Sequence, residues 1–307
     1  MRSRRKLMRI GAIEAGGTKF VCGVGNELGE IEDRVHFPTR RPEETMENVI
    51  AYFRDKRVDS IGIGSFGPID LEHSSPTYGY VTTTPKPGWS GYNFVGTLKS
   101  VFDVPVGWDT DVNAAALGEA TWGAAQGLDS CVYYTIGTGV GVGVYTEGNL
   151  VHGLVHPEGG HILTRRHPND DFAGNCPYHG DCLEGMAAGP ALEARWKAKG
   201  DTLPEDHPAW EMEAFYIAQA ISNVILTLSP KKVILGGGVM KQAQLFPMIR
   251  AQVGSILNGY VSAKSIVSDI EHYIVAPKLG DNAGLCGALA LGVRALDSRT
   301  NVRSSIQ

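Results

Sequence analysis

Two short glycine-rich segments, each lying between stretches that read as β-strands, constrain this chain more than any other feature. Glu14-Ala-Gly-Gly-Thr-Lys19 and Thr135-Ile-Gly-Thr-Gly-Val-Gly141 both place bare backbone N–H groups and a threonine hydroxyl in a tight turn, where an anion can approach closely. One such turn alone is what any β-hairpin selects, because its central residues favour positive φ. Two of them, with threonine at matching places near residues 16 and 138, are the trace that a pair of similar lobes would leave. At 307 residues the chain also exceeds the usual size of a single hydrophobic core, so two lobes sharing a cleft are expected.

The intervening patterns fit strands alternating with helices. Met8 to Val24 reads as strand, turn, strand; Pro42 to Arg54 has helical spacing through Met46, Val49, Ile50 and Phe53; Val58 to Phe66 reads as a buried strand ending at Gly67-Pro68. Thr82 to Asn93 is an ordered loop rich in proline, glycine and tryptophan, followed by a short helix from Phe94 to Phe102 and a strand from Val104 to Trp108. Asp109 to Gln126 reads as an alanine-rich helix, Ser130 to Tyr145 repeats the strand, turn, strand pattern, and Glu213 to Leu228 is a helix stopped by Pro230. In Val233-Ile-Leu-Gly-Gly-Gly-Val-Met240 a strand runs into Gly236, Gly237 and Gly238, where an adenosine face could lie against the backbone. Asn282 to Leu296 is an apolar helix able to cross back onto the first lobe. None of the glycine turns ends in the Lys-Ser/Thr of a P-loop or has the spacing of a dinucleotide fingerprint.

Composition excludes several classes of function. A net charge of -5 offers no broad attraction to nucleic acid or anionic lipid, and no apolar run approaches the roughly 20 residues that span a bilayer. The basic opening, residues 1–7, lacks the hydrophobic segment of a signal peptide and reads as a solvated tail. Five widely spread cysteines suggest no disulfide framework, and a reducing cytoplasm suits them.

Residues 153–189 hold glycines, histidines and cysteines but few apolar side chains, so something other than a core must order them. His161, Cys176, His179 and Cys182 offer two nitrogens and two sulfurs, a common tetrahedral zinc set, with Cys-x2-His-x2-Cys bringing neighbouring loop residues together. All four positions would be filled by protein, leaving none for water, which makes the expected zinc structural. Buried thiols beside surface histidines are the plainer alternative.

In this order the motifs resemble the ROK family, the repressors and sugar kinases of the actin-like ATPase superfamily, and more closely its bacterial fructokinases, from Ile10 to Val293. The resemblance implies an α/β, two-lobed actin-like (ribonuclease H-like) fold with an interlobe cleft and a zinc-bound loop. Residues 8–113 and 282–297 would form the N-terminal lobe and 114–281 the C-terminal lobe. It further implies that Gly16, Gly17, Thr18 and Lys19, together with Gly137, Thr138 and Gly139, grip the phosphates of ATP, with Gly236, Gly237 and Gly238 beside the adenosine. A homodimer is expected on the same ground, binding sugar and Mg·ATP rather than nucleic acid or membrane.

Phosphoryl transfer to a sugar hydroxyl needs a carboxylate that orients the alcohol and takes its proton. The family's base falls in Trp108-Asp-Thr-Asp-Val-Asn-Ala114, and Asp111, where a strand enters a helix, is the candidate; Asp109 competes, and an ordinary helix cap is the alternative for either. By resemblance Glu158, Glu184 and His161 hydrogen-bond sugar hydroxyls, with Asn93 and Thr110 as further contacts; His179 stands where relatives more often carry cysteine. Glucose-specific members resemble Asn-Asp-x-Asn where this chain has Thr110 before Asp111, and many members carry Asp where this chain has Glu14. Both departures point to fructose, and the expected product is fructose 6-phosphate. Mannose, glucose or an amino sugar is the nearest alternative. A sugar-sensing repressor would need a helix-turn-helix ahead of Glu14, for which only 13 residues are present.

Overall fold

A computed structural model describes residues 7–304, with side chains through residue 298. Most of the expected tail, residues 1–6, lies outside the described residues. The elements run β1 (Arg9–Ala15), β2 (Lys19–Asn26), β3 (Ile31–Pro38), α1 (Pro42–Phe53), β4 (Ser60–Ser65), β5 (Tyr80–Val81), β6 (Tyr92–Asn93), α2 (Phe94–Lys99), β7 (Val106–Thr110) and α3 (Asp111–Trp122). They continue with β8 (Ser130–Ile136), β9 (Val140–Thr146), β10 (Asn149–Leu150), α4 (Leu183–Ala187), α5 (Gly189–Trp196), α6 (Ala209–Leu228), β11 (Val233–Gly236), α7 (Leu245–Leu257), α8 (Lys264–Val267), α9 (Ile270–Tyr273), β12 (Ile274–Val275) and α10 (Ala283–Ser304).

The described residues divide into two compact units, one of residues 7–126, 150–156 and 281–304, the other of 127–149 and 157–280. The first unit runs past the expected limit at residue 113 because α3 packs on α10 and β4, so a boundary there would cut a helix from its own core. Residues 150–156 also belong to it, a return that no composition change signals.

In the first unit the sheet order is β3-β2-β1-β4-β7, with β2 antiparallel to both its neighbours and β1, β4 and β7 parallel. The period-2 alternation of β1 assigns its two faces. Ile13 and Ala15 join a core of Phe20, Phe53, Trp89, Phe94 and Trp108, while Ile10 and Ala12 pack with Leu285 and Leu289 of α10. Glu14 shares the face of Ile10 and Ala12. Gly287 lets α10 lie close on α3, since a Cβ there would run into the Ala114 backbone. The strand expected at 104–108 lies at 106–110, and the following helix starts at Asp111 rather than Asp109. β3, a largely exposed edge strand that the sequence reading did not include, sets Ile31, Val35 and Phe37 on one face and Glu32, Arg34 and His36 on the other, with Asp33 interrupting the apolar face.

The second unit repeats the plan, with order β10-β9-β8-β11-β12, β8 and β9 antiparallel, and β8, β11 and β12 parallel. The duplication inferred from two hairpins therefore extends over two five-stranded sheets. Helix α6 starts at Ala209, a turn earlier than expected, and packs on α7. Residues 153–189 are ordered in part by a buried ion pair absent from the sequence reading. Asp170 Oδ2 accepts from Arg195 Nη2 at 3.1 Å and from the Tyr216 hydroxyl at 2.6 Å, while Arg195 Nη1 donates to the Met186 carbonyl at 3.0 Å. Among the described residues no helix is long and apolar enough to cross a membrane, and all five cysteines are unbridged and buried.

Candidate functional site

The first glycine turn joins β1 to β2. Gly16 N–H donates to the Lys19 carbonyl at 3.0 Å, and the Thr39 hydroxyl donates to the Gly16 carbonyl at 2.7 Å, while Gly17, Thr18 and Lys19 stand exposed. The exposed backbone suits an anion; the two anchoring bonds hold its shape.

Three neighbouring acids behave differently. Thr110, not an aspartate, caps α3, its Oγ1 accepting from Asn113 N–H at 3.1 Å. Asp109 is buried and committed on both oxygens: Oδ1 accepts from Thr110 N–H and the Asn113 amide, both at 2.8 Å, and Oδ2 meets His152 Nε2 at 2.8 Å. Asp109 in turn raises the pKa of His152. Asp111, at the first helical position, accepts only from the backbone of its own turn among the described residues, Val112 N–H lying at 2.8 Å. Burial pushes its carboxyl above the usual aspartate range, opposed by those N–H groups and by Lys86. Glu14 is pushed up to about 7, first by burial and then by Asp111, with Lys19 opposing and Asp281 adding to the rise. Asp109 is thus committed on both oxygens, whereas Asp111 keeps acceptor capacity for a ligand.

Lys86 also belongs here, and sequence reasoning missed it. It comes from the 82–93 loop, and its Nζ donates to the Gly17 carbonyl at 2.9 Å. Asn93, from the same loop, caps α2, its Oδ1 accepting from Gly96 N–H at 2.8 Å. Asn93 and Thr110 thus have acceptor atoms committed to helix caps, leaving the Asn93 amide nitrogen and the Thr110 hydroxyl proton as what they could offer a ligand.

In the second unit the turn at Gly137, Thr138 and Gly139 is held from both ends. Gly137 N–H donates to the Gly139 carbonyl at 2.9 Å, and the Gly137 carbonyl accepts from Gly189 N–H at 2.7 Å. Glu184 Oε2 accepts from Val140 N–H at 2.9 Å, and a Cβ at Gly139 would lie 2.6 Å from the same oxygen. Beside this turn lies a cavity of about 530 Å³ lined by Gly137, Thr138, Pro190, Glu193, Lys199 and Gly238, among others. Gly238 reaches it because Gly237 adopts φ 92°, whereas Gly236 is buried against Tyr133 and Pro277. Two of the three expected glycine motifs are therefore brought to one cavity, joined by Glu193 and Lys199, which no motif announced.

His161, Cys176, His179 and Cys182 converge, each offering one ligand atom within 4.8 Å of the others. His161 Nδ1 lies 3.5 Å from Cys182 Sγ and 3.8 Å from Cys176 Sγ, and His179 Nδ1 lies 3.7 Å from Cys176 Sγ. These separations match the edges of a tetrahedron built from Zn–S bonds of about 2.3 Å and Zn–N bonds of about 2.0 Å. The donor set fits zinc. The single 3-10 turn Gly159–His161 swings His161 into place, its N–H bonded to the Glu158 carbonyl at 3.0 Å, and Glu158 is exposed at the head of that turn. With Nδ1 facing the sulfurs, the Nε2 of His161 remains for another partner. Cys182 precedes α4, so the metal loop leads directly into the helix that carries Glu184.

A sequence profile of the ROK family matches residues 10–295. The chain is 56% identical to the putative fructokinase of Bacillus subtilis over 289 residues, covering 94% of this chain and 97% of that protein. It is 51% identical to the fructokinase of Pediococcus pentosaceus, covering 94% and 99%. Among solved structures it resembles a ROK hexokinase from Thermus thermophilus (TM-score 0.76, 25% identity, 95% and 100% covered). It also resembles a ROK family glucokinase from Streptomyces griseus in complex with glucose and AMPPNP (TM-score 0.72, 23% identity, 94% and 100% covered).

Proposed function

This chain belongs to the ROK family, and from that premise we propose that it is a fructokinase, transferring the γ-phosphoryl group of ATP to fructose to give fructose 6-phosphate. The fold is the actin-like ATPase fold of ROK kinases. Fructokinases at 42–56% identity over nearly the whole chain support the substrate, and the contrast between Asp109 and Asp111 carries the chemistry.

Asp111 is the general base. Its carboxylate orients the C6 hydroxyl and receives the proton as the oxygen bonds to phosphorus and the bond to ADP breaks. Raising a carboxyl above its ordinary range strengthens it as a proton acceptor. Gly17, Thr18 and Lys19 present backbone N–H groups and the Lys19 ammonium to phosphate, and Thr138 and Gly139 present backbone N–H groups and a hydroxyl, while the N–H groups of Gly16 and Gly137 hold the shape of the two turns. Gly236, Gly237 and Gly238 shape the adenosine contact, with Gly238 presented directly. Glu158, Glu184 and His161 Nε2 are hydroxyl partners for the sugar, and Asn93 and Thr110 chiefly hold their helices in register. Mg²⁺ would neutralise the phosphate oxygens, and Glu14 fits an oxygen donor toward it, because burial first and the Asp111 charge second disfavour its ionised form, and a bound cation would relieve both. Zinc held by His161, Cys176, His179 and Cys182 would fix residues 161–182 and with them the start of α4. The protein is expected in the cytoplasm as a homodimer.

Asp111→Asn tests the reading. It should lower kcat by about 10²–10⁴-fold while ATP affinity stays near the native value. Retention of most turnover would remove Asp111 from its role. A coupled ADP assay over fructose, mannose and glucose ranks the acceptors.

A further inference from the structure

Resting on the phosphoryl-transfer reading above, we propose that Lys86 is a catalytic residue, a cation that fixes the first phosphate turn and meets the transferring phosphoryl group beside Asp111. Three observations carry this.

The first is where the ammonium goes. Lysine usually extends its charge into water or onto a carboxylate. Among the described residues Lys86 has no carboxylate at ion-pair distance; its Nζ instead donates to the carbonyl of Gly17, 69 residues away, at 2.9 Å. A Cβ at Gly17 would meet Nζ, so the ammonium lies directly against this glycine of the turn.

The second is that the position is built. Lys86 sits in a loop anchored by Trp89, which is buried against Phe20, Phe66 and Phe94 at ring separations of 5.4, 5.4 and 5.8 Å, with its indole N–H on the Arg40 carbonyl at 2.7 Å. The ammonium lies 5.3 Å from the centre of the Phe66 ring, whose face stabilises a cation. A lysine on a free loop would lose much side-chain entropy in binding a ligand; here most of that ordering precedes it.

The third is what the contact does. The peptide linking Gly17 to Thr18 is planar, so holding its carbonyl on one side directs Thr18 N–H to the other. Lys86 therefore sets the orientation of an amide in the phosphate turn. One ammonium proton is used for this and two remain for phosphate oxygens. The charge is also close enough to oppose the upward push on Asp111, and burial holds the Lys86 ammonium below its ordinary range. A cation that favours the ionised base and neutralises the departing phosphoryl oxygens acts on both partners of one step. That step remains balanced: the alcohol oxygen bonds to phosphorus, its proton passes to Asp111, and ADP carries away the electron pair of the broken P–O bond.

Lys86→Met keeps the aliphatic stem and removes charge and donors. It should fall in kcat by about 10²–10³-fold, with the fructose KM moving less than about tenfold, and Lys86→Arg should recover part of the loss. Melting temperatures and zinc content accompany each variant, and Lys86→Gln replaces Lys86→Met if the latter fails to fold. If kcat is retained and only the ATP KM rises, the residue is a strap for the turn and the proposal fails. Measuring Asp111→Asn in parallel separates the two readings. Loss in Asp111→Asn with a fully active Lys86→Met refutes this proposal alone, whereas an active Asp111→Asn refutes the base assignment beneath it.

Discussion

Removing the Glu184 carboxylate should weaken nucleotide binding even when no sugar is present. Glu184 accepts from Val140 N–H at 2.9 Å, immediately after the Gly137-Thr138-Gly139 turn. A hydrogen bond to a charged group contributes about 1.5–3 kcal/mol. The other end of the turn keeps its 2.7 Å bond between Gly189 N–H and the Gly137 carbonyl. The lower figure therefore applies to Glu184→Ala, and about 1.5 kcal/mol corresponds to roughly tenfold in Kd. Glu184→Gln keeps an acceptor without the charge and should recover about half of that free energy. Calorimetric titration with a non-hydrolysable ATP analogue, without fructose, measures the effect apart from any role of Glu184 at a sugar hydroxyl. If the analogue binds Glu184→Ala within twofold of the native protein while the fructose KM rises, Glu184 serves the sugar only. The Val140 bond would then have no part in holding the turn.

Glu14 makes stability depend on pH in a direction opposite to that of most carboxylates. Its pKa rises from 4.5 to about 7 on folding, so the folded state binds more protons between those values; the contribution is fully present below pH 4.5 and is lost as pH rises through 7. At about 1.36 kcal/mol per unit the full loss is roughly 3.4 kcal/mol, most of it between pH 5 and pH 8, and urea melts at those two values should show a steeper decline in the native protein than in Glu14→Gln; parallel profiles would refute the shift. For the metal loop, Cys176→Ala should purify with less than one zinc per chain and a lower melting temperature, because it removes a buried donor that lies beside both histidine nitrogens. Full zinc occupancy in that variant would exclude Cys176 from the ligand set.

What the sequence disclosed and what it concealed divide along a physical line. The glycine turns were legible because their requirement is local: a hairpin of this kind needs small residues at set offsets whatever packs around it. The two hairpins accordingly announced two sheets of matching order, β3-β2-β1-β4-β7 and β10-β9-β8-β11-β12. The Cys-x2-His-x2-Cys spacing was legible for the same reason, since residues three apart on a tight loop converge without help. The concealed features are pairings across long stretches of chain. Nothing near Lys86 names Gly17, nothing near Asp170 names Arg195, and the return of residues 150–156 to the first unit, where His152 meets Asp109, has no local signature.

The choice between Asp109 and Asp111 shows how much depends on such pairings. Both acids stand at the junction of β7 and α3, and either one could have been a cap by sequence alone. Only the arrival of His152 and the inward turn of Asn113 occupy Asp109 on both oxygens, and only the use of Thr110 as the cap leaves Asp111 without that duty. Commitment of one carboxylate is thus what frees the other. It follows that Asp109→Asn, which keeps the shape but weakens the bond to His152, should disturb catalysis through the placement of α3 rather than through proton transfer. The expected signature is a fall in kcat well short of that in Asp111→Asn, with a lowered melting temperature. A loss as deep as that of Asp111→Asn, at native stability, would exchange the roles of the two acids.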